Sequence, residues 1–173
     1  GSKVYDGNTS ASGTYTQSIG SAVLDGTAVY ALDDKNAGSR TLNVSGLYSD
    51  QRGYDISFVG GGYTVTPKAL TVTGLSAGDK TYDGTTTATW TGAALSGTVA
   101  GDEVALDGRG VTASFADAEV GVGKAVTLQG SFGLGGADAS NYTLTQPTAG
   151  LSADIRPAAP QDPKAAAAIT SAQ

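Results

Sequence analysis

Three clusters of oxygen-bearing side chains stand where turns are expected: Asp33, Asp34 and Asn36; Asp102 and Glu103; Asp117 and Glu119. The chemistry they offer is calcium binding, which needs six to eight oxygens, often several carboxylates from one loop. No D-x-D-x-D-G string occurs, so solvated loop charges are preferred over a calcium site. Asp102 and Glu103 are also the acid type used in glycoside hydrolysis, but nothing positions a second acid against them, so no enzyme is expected. Trp90 is the single tryptophan. It is a candidate for stacking on a sugar ring, set against the commoner use of a lone Trp in packing. Cys and His are absent, which removes thiolate chemistry, ordinary zinc sites and Ser–His catalysis. No catalytic residue, metal or cofactor is expected.

The strongest pattern is a repeat. "KVYDGNTSA" at residues 3–11 returns as "KTYDGTTTA" at 80–88, an offset of 77. The echo continues: Leu24–Gly26 against Leu106–Gly108, Asp34 against Asp117, Leu42 and Val44 against Val126 and Leu128, and Pro67 against Pro157. The offset grows along the chain, as small loop insertions in a second copy would make it. In each copy Asp-Gly follows a short apolar stretch. Gly tolerates positive φ and Asp bonds its own backbone, so Tyr5-Asp6-Gly7 and Tyr82-Asp83-Gly84 are read as the same structural turn.

The elements that carry these turns read as strands. "ALTVTG", "AVTLQG", "VTASF" and "YDISF" alternate apolar and polar residues, the mark of strands with one buried face. Turn signals recur every 8–12 residues, the spacing of a sandwich or barrel. Asp50 precedes Tyr54 by four residues and Asp138 precedes Tyr142 by four, a spacing similar to the tyrosine corner of immunoglobulin-like domains. The expected fold is therefore all-β, with two tandem small β-sandwich, immunoglobulin-like domains arranged as a rod; β-grasp-like repeats are the alternative. The boundaries are 3–67 for the first repeat, 68–157 for the second, and 158–173 for a Pro/Ala-rich linker or tail, part-helical at 165–168. The first repeat has no counterpart of "ALTVT" ahead of its Tyr-Asp-Gly, so either it lacks its first strand or the boundary moves to about residue 74.

The net charge is −6, which disfavours nucleic acid and anionic membrane surfaces. No apolar run approaches the ~18 residues of a membrane span. The opening Gly1-Ser2, with no Met in the chain, reads as a cloning scar. Sequons at Asn8, Asn43 and Asn141 would lie in exposed turns if modified, though chance matches are expected in so Thr/Ser-rich a chain.

"KTYDGTTTA", "GDEVAL", "FADAEVGVGKAVTLQG" and "GADASNYTLTQPTAGLSADI" resemble the YDG repeats of large bacterial surface proteins. "YDISFVGGGYTVTP" is similar to the ending of the related MBG repeats. The resemblance spans residues 3–157. It implies filamentous-haemagglutinin-like adhesins exported by two-partner secretion, and so a secreted, cell-surface location in a Gram-negative bacterium. The role it implies is a non-catalytic stalk or spacer that projects a distal adhesive region, with neighbouring repeats of the same polypeptide as partners. The alternative is direct binding of an exopolysaccharide or host glycan.

Overall fold

A computed structural model of the chain describes residues 1–160; the expected helical stretch at 165–168 and most of the tail at 158–173 lie outside them. The described residues are all-β, with a three-residue 3-10 turn at Ala139–Asn141. The strands of the first repeat are β1 (Ser2–Val4), β2 (Asp25–Leu32), β3 (Gly38–Tyr48) and β4 (Gly61–Thr66). Then come β5 (Lys68–Thr73), β6 (Ser76–Ala77), β7 (Lys80–Thr81), β8 (Thr87–Ala88), β9 (Trp90–Thr91), β10 (Ala94–Ser96), β11 (Ala105–Asp107) and β12 (Thr112–Phe115). The last four are β13 (Gly121–Gln129), β14 (Gly133–Gly135), β15 (Tyr142–Thr145) and β16 (Leu151–Arg156). No helix among the described residues is long and apolar enough to cross a membrane.

The repeat is visible in the sheets. The first copy forms the order β1-β4-β3-β2, and the second forms β7-β16-β13-β12-β8. In both, the strand before Tyr-Asp-Gly runs parallel to the last strand: Lys3 pairs with Val65, and Lys80 with Ile155. In both, the next strand is antiparallel: Gly38 pairs with Val65, and Gly121 with Ile155. Turn spacing alone did not foresee the parallel pairs, because they join residues more than 60 positions apart. The echo of Leu24–Gly26 in Leu106–Gly108 does not hold in space. Gly26 lies close against Gly46, and its counterpart is Gly110, which lies close against Gly130.

Packing sorts the chain into two compact units, and they are not the two stretches of repeated sequence. Unit 1 is Gly1–Val72, Leu95–Asp107 and Gly133–Gln146; unit 2 is Thr73–Ala94, Gly108–Phe132 and the segment from Pro147. The unit 1 core holds Tyr5, Leu32, Tyr63 and Val65 from the first repeat with Leu70 and Tyr142 from the second, flanked by Leu95, Val99, Leu134 and Leu144. The strand of "ALTVT", β5, pairs in parallel with β15, so by packing Leu70 belongs to unit 1. The unit 2 core is Ala113, Phe115, Val126, Ala153 and Ile155, with Trp90 and Leu128 against it. Burying these alternating faces contributes roughly 25 cal/mol per Å² of apolar surface.

Three of the four expected strands form, as β5, β12 and β13; "YDISF" does not. Tyr54 and Ile56 are half-buried while Asp55 and Ser57 are exposed. The alternation there reports one-sided cover, and periodicity says nothing of whether a ladder partner is within reach.

Candidate functional site

The two Tyr-Asp-Gly corners share one geometry. Gly7 has φ +79° and Gly84 φ +75°, the left-handed conformation that an L side chain adopts only under strain. The Asp6 Oδ1 accepts the Asn8 N–H at 3.1 Å, and the Asp83 Oδ1 accepts the Thr85 N–H at 2.9 Å. A lysine three residues before each aspartate completes the turn. Lys3 Nζ donates to Asp6 Oδ1 at 2.7 Å and to the Asn8 carbonyl at 2.7 Å. Lys80 Nζ donates to Asp83 Oδ1 at 2.8 Å and to the Thr85 carbonyl at 2.7 Å. The residue two beyond the aspartate thus has its N–H held by the carboxylate and its C=O held by the cation.

The same clamp occurs twice more, with the cation on the other side. The Asp34 Oδ1 accepts the Asn36 N–H at 3.0 Å, while Arg40 lies 3.3 Å from Asp34 Oδ2 and donates from Nε to the Asn36 carbonyl at 2.6 Å. The Asp117 Oδ1 accepts the Glu119 N–H at 2.9 Å, and Lys124 Nζ donates to that carboxylate and to the Glu119 carbonyl. Arg40 and Lys124 occupy matching places in the two repeats. Each lysine stem is largely buried while its carboxylate is about half-exposed, as long cationic side chains favour.

The electrostatics follow. The Lys80 ammonium and the Thr85 N–H hold the Asp83 carboxyl down to about 2. Lys124 and the Glu119 N–H hold Asp117 below the usual carboxylate range. The Asn36 N–H, with Arg40 further off, does the same for Asp34. Burial pushes Asp6 up, but Lys3 and the Asn8 N–H outweigh it and leave the group depressed. Two of the three calcium candidates are therefore turns whose carboxylates already face the chain's own cations. No cluster of three metal-ligating side chains occurs among the described residues.

The third candidate, Asp102, is a bridge inside unit 1. Its Oδ2 accepts the Tyr142 hydroxyl at 2.6 Å and the Tyr5 hydroxyl at 2.8 Å, and Lys35 Nζ stands 3.9 Å from Oδ1. The two rings meet edge-on, centroids 5.4 Å apart. The Tyr142 hydroxyl also accepts the Val99 N–H at 2.9 Å. The Tyr142 hydroxyl chiefly, against burial and with help from Tyr5, holds Asp102 low. Burial first, then the Asp102 carboxylate, raises Tyr5 and Tyr142. Tyr142 thus bonds distant backbone at the start of a late strand, whereas Tyr54, in no strand, meets only the Ser21 hydroxyl at 3.3 Å. Neither tyrosine makes the local backbone bond of a tyrosine corner: the Tyr142 hydroxyl meets backbone 43 residues away and the Tyr54 hydroxyl meets a side chain.

Trp90 donates its indole N–H to the Val111 carbonyl at 3.0 Å and packs edge-on to Phe132 at 5.1 Å. The ring is half-buried, and its only hydrogen-bonding group is already in use. Asn8 and Asn43 are exposed. Asn141 is not: it is 2% exposed, its Oδ1 accepts the Ala37 N–H at 2.8 Å and its Nδ2 donates to Asn36 at 2.9 Å. The expectation of an exposed turn fails there, since a glycan would displace both bonds. Unit 1 also holds an open cleft of about 560 Å³, lined by Tyr15, Ile19, Tyr30, Tyr54, Ile56 and Phe58 among others.

Lys3 and Lys80 belong to the repeated nine residues, and their role as clamps appears only in the structure. Their constant spacing from Asp6 and Asp83 was the signal. Asp102 as partner of Tyr5 had no such signal, for it lies 97 residues away. No curated protein and no solved structure matches the chain. One family model does match, and a YDG domain is found at residues 66–149.

Proposed function

We propose that the chain is a non-catalytic structural module, a stalk or spacer segment of a secreted bacterial surface adhesin that projects a distal adhesive region. The observation that carries this reading is the duplicate use of polar groups. Both repeats build the same sheet and the same two clamped turns, with carboxylates, ammonium groups and backbone bonded to one another. The filamentous-haemagglutinin-like parent and two-partner secretion belong to this proposal, on the resemblance of residues 3–157. Replacing the segment in its parent by an unrelated rod of equal length should leave adhesion intact.

The cleft in unit 1 favours one second reading, direct glycan binding, because Tyr15, Tyr30 and Tyr54 offer ring faces and hydroxyls together. A glycan array separates the two, since a pure spacer binds nothing and a binder should lose its hits on Tyr15→Ala.

A further inference from the structure

The two Tyr-Asp-Gly corners are built alike and finished differently. The Tyr5 N–H donates to the Thr66 carbonyl at 2.8 Å, as the Tyr82 N–H does to Arg156 at 2.8 Å. The Leu32 N–H donates to Thr9 at 2.8 Å, as the Phe115 N–H does to Thr86 at 2.7 Å. Both corners carry the same lysine clamp. In unit 1 the corner is covered. Tyr5 is 1% exposed, its hydroxyl sits on Asp102, its ring on Tyr142, and Gly7 lies against Val99. The Ala37 N–H, at the same end of the sheet, is capped by Asn141.

In unit 2 every one of these places is open. Tyr82 is 42% exposed, and its hydroxyl has no hydrogen-bond partner among the described residues. Val120, the counterpart of Ala37, is 47% exposed. Tyr82 and Val120 flank Arg156 at one end of the sheet, so they form one patch. We propose that this patch is a docking surface for the part of another YDG-type repeat equivalent to residues 95–107 and 133–146, which seats an aspartate on the Tyr82 hydroxyl as Asp102 seats on Tyr5. The occupant's chemistry can be read from unit 1: a Val-x-Gly-Asp loop like Val99–Asp102 and an Asn-Tyr pair like Asn141-Tyr142. A second copy of this chain is the poorer candidate, because its own loop and pair are already buried under its own Tyr5. The inference concerns which surfaces join, and it stands whether or not the chain serves as a spacer.

The test extends the full chain by a second copy of residues 68–157 placed directly after Pro157, as Lys68 follows Pro67. The chain has no cysteine, so single thiols report accessibility. Labelling at Val120→Cys should slow roughly tenfold or more in the extended chain. Labelling at Val122→Cys should not change, since Val122 is 88% exposed and its counterpart Ser39 stays exposed in unit 1. Nitration of Tyr82 should fall in the extended chain and return when the added copy's counterpart of Asp102 is changed to Ala. Unchanged labelling at Val120→Cys overturns the proposal. Concentration-dependent protection in the unextended chain would make a second copy of this chain the occupant and overturn it too.

Discussion

Tyr5→Phe and Tyr82→Phe remove the same atom from the same motif and should differ sharply. At Tyr5 the lost hydroxyl donates to a buried carboxylate at 2.8 Å. A hydrogen bond to a charged group contributes about 1.5–3 kcal/mol. Asp102 keeps Tyr142 at 2.6 Å and Lys35 at 3.9 Å, and the ring keeps its edge contact with Tyr142, so the lower part of that range applies, about 1.5–2 kcal/mol. At Tyr82 no bond is lost and no destabilisation is expected. With a urea slope of about 1 kcal/mol per M for a unit of this size, Tyr5→Phe should lower the midpoint by about 1.5–2 M. Circular dichroism follows the whole chain, and Trp90 fluorescence follows unit 2 alone. The Tyr5→Phe effect should shrink when Asp102 is already Asn, since a neutral acceptor makes the weaker bond. Equal shifts for the two tyrosines would refute the claim that the Asp102 bridge separates their fates.

At the turns, Gly84→Val should cost more than about 1 kcal/mol from the left-handed backbone alone, for a Cβ there meets nothing nearer than the Tyr82 hydroxyl at 4.0 Å. Gly7→Val should cost more still, because its Cβ would stand 2.8 Å from Val99 Cγ1; equal melting temperatures for the two would count against that contact. The pH profile should fall at both ends. Asp83 near 2, with Asp6, Asp34, Asp102 and Asp117 also depressed, contributes stability above the unfolded carboxyl value of about 3.9 that is lost as pH drops towards 2. Tyr5 and Tyr142 are raised, so the folded chain holds those protons more tightly, and stability falls above about pH 10; a thermal scan flat from pH 5 to 2 would refute the acid limb. Asn141→Ala should destabilise by about 1–3 kcal/mol by stripping the Ala37 N–H of its acceptor, whereas Asn43→Gln on the exposed face of β3 should leave the urea midpoint unchanged.

What the sequence determined by itself is local or periodic. Alternation placed β5, β12 and β13, and the 77-residue echo announced one sheet built twice. Asp-Gly required a left-handed turn, and both glycines adopt one. Such features depend on neighbours a few bonds apart, so residue type and spacing suffice. The lysine clamp emerged only from the structure, although Lys3 and Lys80 sit three residues before their aspartates. Alternation at Tyr54 and Ile56 misled because it records which face is covered and not what a backbone can pair with, and Phe58, the third residue of that pattern, is exposed. Tertiary structure alone decided that the first and last strands of each copy lie parallel, and that Asn141 is buried. It also gave two identical tripeptides opposite solvation. Tyr5 is sealed by Asp102 and Tyr142, from 97 and 137 positions away, while Tyr82 has no such cover. Burial is a property of whatever segment arrives from elsewhere in the chain, and nothing within Tyr-Asp-Gly encodes that arrival.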